Sequence, residues 1–436
     1  MRAAALPTLA VVAILCARPL AAQERPVTLE EALVRSRQSN VRLPLPALDV
    51  SIARERVSEA RAERWLKVAV EGDFLYAPRN GYDPAITNAG EFRLQAVGRQ
   101  PLSDGGARRA AVAKTEAEVE AAAARYRIAE KDLELEVRSR FSEFFQGERE
   151  AAARRDGLDR LGRYRTSLES RRASGQGVAA DLLKIDVRLA SERANLVEAE
   201  ARRDAARLIL NDLMGRDPAA PLALVPLPPP GPPAAADPAP LEGAAEVVAA
   251  ASEARAADAD VSAARAERRP HLNLAGDVGF LGSDTSRLVP GDLLGANRNA
   301  TFGDRLRRDA GYSFSLSLAW PVWDFGAIRS RIRQAELRLE SARLNVLRQR
   351  REVERQRAQA RATLQSTREQ IRILSEAAPS ARDSYLEAES RYRGGAATAF
   401  EVLDAYTASV DAAVRLSDAL SRYRIAEAVA VRWSEP

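Results

Sequence analysis

PLSDGGARRAAVAK at residues 101–114 and PVWDFGAIRSRIRQ at residues 321–334 decide the fold, because they are one motif written twice at an offset of 220 positions. Asp104 matches Asp324, Gly106 matches Gly326 and Arg109 matches Arg329. The apolar positions behind the turn keep step: Val112, Val119, Tyr126 and Leu133 fall on Ile332, Leu339, Val346 and Val353. Further on, Gly175 still pairs with Gly395, Asp181 with Glu401 and Leu183 with Leu403. A register held over such a span without insertion marks two copies of one structural unit. Each copy reads as strand, sharp turn, very long helix. Pro101 and Pro321 close an apolar–polar alternation, since proline cannot donate to a sheet ladder. Asp104 and Asp324 are placed to accept from the free N–H groups of a helix start. Apolar residues then recur every seventh position, the pattern of a helix packed lengthwise on another.

Outward from the motif, the chain divides into two halves. A first repeat spans 23–216, with a β-hairpin at 67–100, a long helix at 106–173 and a return helix at 178–214. A proline-rich linker follows at 217–242. The second repeat spans 243–436, with a hairpin at 271–320, a long helix at 326–393 and a return helix at 397–434. Residues 261–268 copy residues 57–64 at an offset of 204, so the second hairpin has the longer loop, at 282–310. Insertion is cheapest at a loop tip. Gly175 and Gly177, and Gly394 and Gly395, sit where each long helix must reverse, and glycine permits left-handed dihedrals there. Each long helix would measure roughly 100 Å at 1.5 Å per residue. Near the start, Thr28 and Glu31 have the spacing of a capping box.

Composition excludes several function classes. Met1-Arg2, the apolar run Ala3–Cys16 and the small residues up to Ala22 read as a secretory signal peptide over 1–22. Cys16 is the only cysteine, so disulfide and thiolate chemistry are not expected in the mature chain. Leu15 is bulky where a lipoprotein signal wants a small residue. The one histidine, His271, excludes a histidine metal cluster and reads as a polar residue at a strand start. The 66 Lys+Arg residues are interleaved with 61 Asp+Glu residues, as on solvated helix faces, which speaks against nucleic-acid binding. No run of about 20 apolar residues follows the signal, so no membrane-spanning helix is expected. A hydrolase needs a placed nucleophile, base or metal set. None is offered, and neither a catalytic residue nor a cofactor is expected.

The strands carry the membrane signal. Val68, Val70, Phe74 and Tyr76 alternate with Ala69, Glu71 and Asp73, and Phe92, Leu94 and Ala96 with Arg93, Gln95 and Val97. In the second copy Leu272, Leu274, Val278 and Phe280 alternate with Asn273, Ala275 and Asp277. Tyr312, Phe314, Leu316, Leu318 and Trp320 alternate with Ser313, Ser315, Ser317 and Ala319. Nine to eleven tilted residues cross a bilayer, and sheet sits in lipid only as a closed barrel. Four strands cannot close, so several chains must share one barrel. Tyr76, Phe92, Tyr312 and Trp320 lie near strand ends, where aromatic rings favour the lipid–water interface. The competing readings are two hairpins in a soluble sheet and a periplasmic coiled-coil scaffold without a pore.

With these motifs in hand, the chain resembles the TolC family of outer-membrane efflux proteins. The carriers are Thr28-Leu29-Glu30-Glu31-Ala32-Leu33, the turn from Pro101 to Gly106, its copy from Trp320 to Gly326, and the tip Tyr392-Arg393-Gly394-Gly395 leading to Val402-Leu403-Asp404-Ala405. The resemblance implies a mixed membrane α/β fold, with a long antiparallel α-helical periplasmic barrel continuous with an outer-membrane β-barrel. It implies four strands per chain and twelve in a homotrimer. The implied partners are a periplasmic adaptor, an inner-membrane transporter of RND, ABC or MFS type, and outer-membrane lipid. The implied function is an exit duct for efflux or type I secretion. By matched position Tyr392 takes the role of a gate tyrosine, Glu401 and Asp404 take acidic gate places, and Asp181 would bond the tyrosine. Ala397 departs from relatives that place an arginine there, leaving Arg393 as a substitute latch. Gly175 and Gly395 would border the grooves that receive the adaptor.

Overall fold

The computed structural model describes residues 25–75, 91–174, 179–228, 240–283 and 310–434. The expected signal segment, most of the 282–310 loop, Tyr76, Gly175 and Gly177 lie outside these residues, and Phe92 is placed only by its position on a strand. The elements are helices α1 (Leu29–Ser39) and α2 (Pro44–Ala62), strands β1 (Lys67–Leu75) and β2 (Glu91–Ser103), then α3 (Ala107–Ala173) and α4 (Ala179–Leu213). There follow α5 (Ala245–Ala266), β3 (His271–Ser283), β4 (Ala310–Ala319), α6 (Ala327–Arg393) and α7 (Ala399–Ser434). Two compact units form. The first gathers Met1–Asn40, Glu136–Pro233 and Thr367–Ile425; the second gathers Val41–Leu135, Ala234–Ser366 and Ala426–Pro436. Each unit therefore draws on both halves of the sequence.

The second unit holds the sheet, an antiparallel ladder in the order β1-β2-β3-β4. Residues directly opposite share a face, so the registers Val70↔Ala96, Ala96↔Val278 and Val278↔Tyr312 align one apolar side across all four strands. Val68, Val70, Phe74, Leu94, Val278, Tyr312, Phe314, Leu316 and Leu318 on that side are all exposed. The other side is polar and internally bonded. Arg99 Nη2 donates to Glu71 at 2.8 Å and Gln95 Nε2 to Asp277 at 3.2 Å, and Ser313 Oγ donates to the same aspartate. Pro101 does not end its strand, contrary to the expected hairpin limit of 100. β2 continues to Ser103, and the register slips between Pro101 and Ser103. A bulge lets the ladder pass a residue that has no N–H to give.

Both strand-to-helix turns are capped by their aspartates. Asp104 accepts from Gly106 N at 3.0 Å and Arg108 N at 2.7 Å; Asp324 accepts from Gly326 N at 3.0 Å and Ile328 N at 2.6 Å. The two turns differ at the residue after the aspartate. Gly105 takes φ 67 at no steric cost, whereas Phe325 takes φ 52, which costs an L-residue about 1–2 kcal/mol. Below the turns, Val50 and Ala53 of α2 pack on Ala122 of α3, and Val261 and Ala264 of α5 on Ala335 and Leu339 of α6. Ion pairs link the same helices: Arg61 to Glu116 at 2.6 Å and Arg265 to Glu336 at 2.9 Å.

In the first unit α1 opens with the expected capping box. Glu31 N donates to Thr28 Oγ1 at 3.1 Å and Thr28 N to Glu31 Oε2 at 3.2 Å. Val27 bridges Leu224, and Asn40 Nδ2 donates to the Leu213 carbonyl at 3.1 Å. Asn211, fully buried, donates to the Ala220 carbonyl and so ties the start of the linker back to α4.

Replacing Asp104 with Ala removes the acceptor for two helix-start N–H groups and should cost about 1–2 kcal/mol at neutral pH. Burial works against the Asp104 carboxylate, but hydrogen bonds from Arg108 and Gly106 hold it below its ordinary value of 3.8. Its stabilisation is therefore present above that value and lost as pH falls through the depressed folded value. Thermal unfolding followed by circular dichroism should show the gap between native chain and variant closing at acid pH. A gap constant down to pH 2 contradicts the assignment.

Candidate functional site at the helix reversal

The first unit carries the expected gate residues, and the backbone explains why they meet. α6 ends in a Schellman motif: Ala396 N donates to Arg391 O at 2.8 Å and Gly395 N to Tyr392 O at 3.0 Å, with Gly395 at φ 77. Gly395 is thus the left-handed residue that turns the chain, and Gly394 precedes it as the cap. α7 then starts at a second capping box, in which Glu401 N donates to Thr398 Oγ1 at 3.2 Å and Thr398 N donates to the Glu401 carboxylate at 3.4 Å. Glu401 is engaged in starting its own helix.

Tyr392 is buried and held from α3. The Arg171 guanidinium lies 4.5 Å from the centre of its ring, and Arg171 Nη2 donates to the carbonyls of Tyr392 at 2.9 Å and Arg393 at 2.7 Å. These are the last carbonyls of α6, which have no partner within the helix and favour a cation. Tyr164 completes the clamp, edge-on to Tyr392 with ring centres 5.1 Å apart. Burial pushes the Tyr164 phenol above its ordinary range, and Tyr392 and the Asp181 carboxylate add to the shift.

Within the single chain Asp181 makes no bond to Tyr392. Its carboxylate lies 3.7 Å from Lys184 Nζ, and among the described residues it makes no hydrogen bond to the tyrosine. Arg393 is likewise committed elsewhere, to Glu389 at 2.5 Å. Asp404 is exposed and, among the described residues, has no ion pair or hydrogen bond. The structure thus brings Tyr392 together with Arg171 and Tyr164, brings Glu401 to Thr398, and leaves Asp404 open.

The tyrosine cluster extends beyond the expected gate residues. Tyr385 meets Tyr406 edge-on at 5.9 Å, with Arg160 over the first ring and Arg188 over the second. Burial, followed by the nearby Glu389 carboxylate, pushes the Tyr385 phenol up to about 12. Beside it lies a charge network: Arg154 bridges Glu150 at 2.9 Å and Glu192 at 3.0 Å, Arg202 adds a second contact to Glu150, and Arg188 one to Glu192. Glu192 is 1% exposed. The seven-residue spacing of Tyr385 and Tyr392 was the one sequence signal for this stack.

Among the described residues no His/Cys/Asp/Glu group could hold a metal, and no helix is long and apolar enough to cross a membrane. The arrangement is a fastening, built to hold helix ends together. Comparison with known proteins agrees in kind. The family model for outer membrane efflux proteins matches residues 32–216 and 240–429, and the chain belongs to that family. The family sets its place in the outer membrane, with a periplasmic helical region. Outer membrane protein OprJ of Pseudomonas aeruginosa is 27% identical over 269 residues, which is 59% of this chain and 52% of OprJ. The match thus spans about half of that relative. The fold is that of the outer-membrane channel OprN (TM-score 0.81, 21% identity, 93% of this chain and 89% of OprN). It is also that of VceC from Vibrio cholerae (TM-score 0.77, 18% identity, 93% and 95%).

Arg171→Ala should strip the α6 end of its cross-helix cap, at a cost of about 1–2 kcal/mol. Hydrogen exchange over residues 390–396 should quicken roughly ten-fold. Tyr392→Phe keeps ring and carbonyls and should leave exchange unchanged. Equal protection in Arg171→Ala and the native chain contradicts the clamp.

Proposed function

We propose that three copies of this chain form the exit duct of an efflux assembly. Each copy supplies four strands to a twelve-stranded outer-membrane barrel and its helices to a periplasmic tunnel. The observation that carries this is the sheet in the second unit: one face predominantly apolar, with Val68, Val70, Phe74, Leu94, Val278 and the Tyr312–Leu318 alternation exposed, flanked by two unpaired edges. Such a face is stable in hydrocarbon, and there the edges must close on other strands. A coiled-coil scaffold has no use for it. A periplasmic adaptor would dock beside the reversals that include Gly175, Gly177, Gly394 and Gly395, and an inner-membrane transporter of RND, ABC or MFS type would drive substrate through the duct. Type I secretion is the same duct with a polypeptide cargo.

The gate falls to Asp404. Three copies of an exposed, unpaired carboxylate around a three-fold axis repel one another unless cations intervene, and such a ring selects for cations. Tyr392, clamped within its own chain, holds the helix end that presents it, while Asp181 and Glu401 serve their own helix start.

Purified protein reconstituted into a planar bilayer should give discrete single-channel currents; a folded trimer without conductance sinks the duct. Asp404→Ala should raise resting conductance and lower cation selectivity. If both stay unchanged, the gate assignment fails while the duct stands.

A further inference from the structure

The sheet encodes how one copy meets the next. Shifting β1 by 204 and β2 by 220 carries the first hairpin onto the second: Lys67 faces Arg99 as His271 faces Ala319, and Asp73 faces Arg93 as Asp277 faces Ser313. The same offsets carry the Arg61–Glu116 ion pair onto Arg265–Glu336. They can be applied to the junction inside the chain, where β2 meets β3. Gln100↔Leu274 then becomes Trp320 against Val70 of an adjacent copy, and Val97↔Asp277 becomes Ser317 against Asp73. Apolar residues stay on the apolar face, and Ser317 meets Asp73 as Ser313 meets Asp277 within the chain. β4 and β1, the two open edges, are thereby complementary to each other.

The turns are where the two junctions must differ. Gly105 lies so close to the end of α5 that a Cβ would fall 2.7 Å from the Ala266 carbonyl and 2.7 Å from Arg269 Cβ. Arg269 Nη1 donates to the Gly105 carbonyl at 2.7 Å. Phe325 holds the corresponding left-handed position, yet it is 94% exposed, and its one ring contact is an edge-on approach to Trp323 at 5.7 Å. The offset of 204 turns Ala266 and Arg269 into Ala62 and Trp65, at the end of α2 beside β1. Trp65 is 75% exposed. Three of the four tryptophans, Trp65, Trp320 and Trp323, thus flank the open edges of the sheet, one beside β1 and two beside β4. A phenylalanine at positive φ is strained where glycine is not, and among the described residues its ring meets only the exposed Trp323.

We propose that Phe325 and Trp323 form an aromatic knob seated on Trp65 of the adjacent copy. It fills the place that the close approach of Gly105 to Arg269 fills within a chain. Backbone contact serves the junction inside the chain; rings serve the junction between chains. This rests on the reading of several chains sharing one barrel, and it names the residues that join them.

The test is cross-linking of the full chain in outer-membrane vesicles with copper-phenanthroline. One double variant is Trp65→Cys with Phe325→Cys, another is Val70→Cys with Trp320→Cys, and the protein without introduced cysteines controls for Cys16. Both double variants should give covalent dimers and trimers, and each single variant should give neither ladder. Cross-linking through Val70 and Trp320 alone keeps the shared barrel and overturns the knob, the result a lipid-seated ring would give. No cross-link in either pair overturns the shared barrel as well. A second variant separates joint from local strain. Phe325→Gly relieves the backbone, so a purely local role predicts unchanged or higher heat resistance of the trimer on denaturing gels. The knob predicts a midpoint several degrees lower.

Discussion

The unpaired N–H and C=O groups along β1 and β4 are the constraint from which the rest follows. Water can satisfy such edges, but the sheet between them turns a continuous apolar face outward, from Val68 to Leu318. A face of that kind belongs in hydrocarbon, where each unsatisfied backbone group costs several kcal/mol. Burying the face and satisfying the edges are therefore one problem with one solution, which is closure by more strands. Four strands per chain are too few for it. On the proposed reading assembly meets both demands at once, and the exposed aromatic residues at the corners of the sheet belong to the same proposal.

The helices solve a different problem. In the sheet-bearing unit the helix cores are narrow and include much alanine, as at Ala53 and Ala122 or Ala264 and Ala335, whereas the other unit packs larger side chains such as Leu161, Ile185 and Tyr406. Charge adds to the specificity of register. Arg154 stands between Glu150 and Glu192, and although burial disfavours its charge, the hydrogen bonds it donates to both carboxylates hold the guanidinium protonated. Buried pairs add little net stability, yet removing one partner leaves an uncompensated charge. A slip of α4 along α3 would do the same, so the network penalises wrong registers more than it rewards the right one.

Much of this was legible in the residues because the controlling signals are local. An aspartate two residues ahead of Gly106 or Gly326 can only cap the helix that follows, and strict alternation from Tyr312 to Trp320 can only be a two-faced strand. Gly395 announced the reversal for the same reason. What stayed hidden depends on partners distant in sequence. The Arg171 clamp uses backbone carbonyls of Tyr392 and Arg393, which carry no residue signature. Tyr164 carries no motif that would pair it with Tyr392, 228 positions away. Pro101 looked like a terminator because the bulge that lets β2 pass it is formed with β3, from the other half of the chain. Phe325 gave no sign of a left-handed backbone, which L-residues other than glycine seldom adopt.

These hidden contacts change how the helix reversal should be understood. A tyrosine bonded to a carboxylate would be a latch that pH or a cation could weaken. Here the tyrosine ring and two helix-end carbonyls are held by an arginine, and a guanidinium does not give up its proton in a protein. The carbonyls do not titrate either, and burial has moved the Tyr164 phenol further from any proton exchange. The fastening within each chain is therefore insensitive to pH. Responsiveness has to come from a group that is exposed, charged and without a partner, and Asp404 meets all three conditions among the described residues. The division is physically economical: a permanent clamp sets where the helix ends stand, and the gating proposed above falls to an exposed carboxylate, Asp404, outside that clamp.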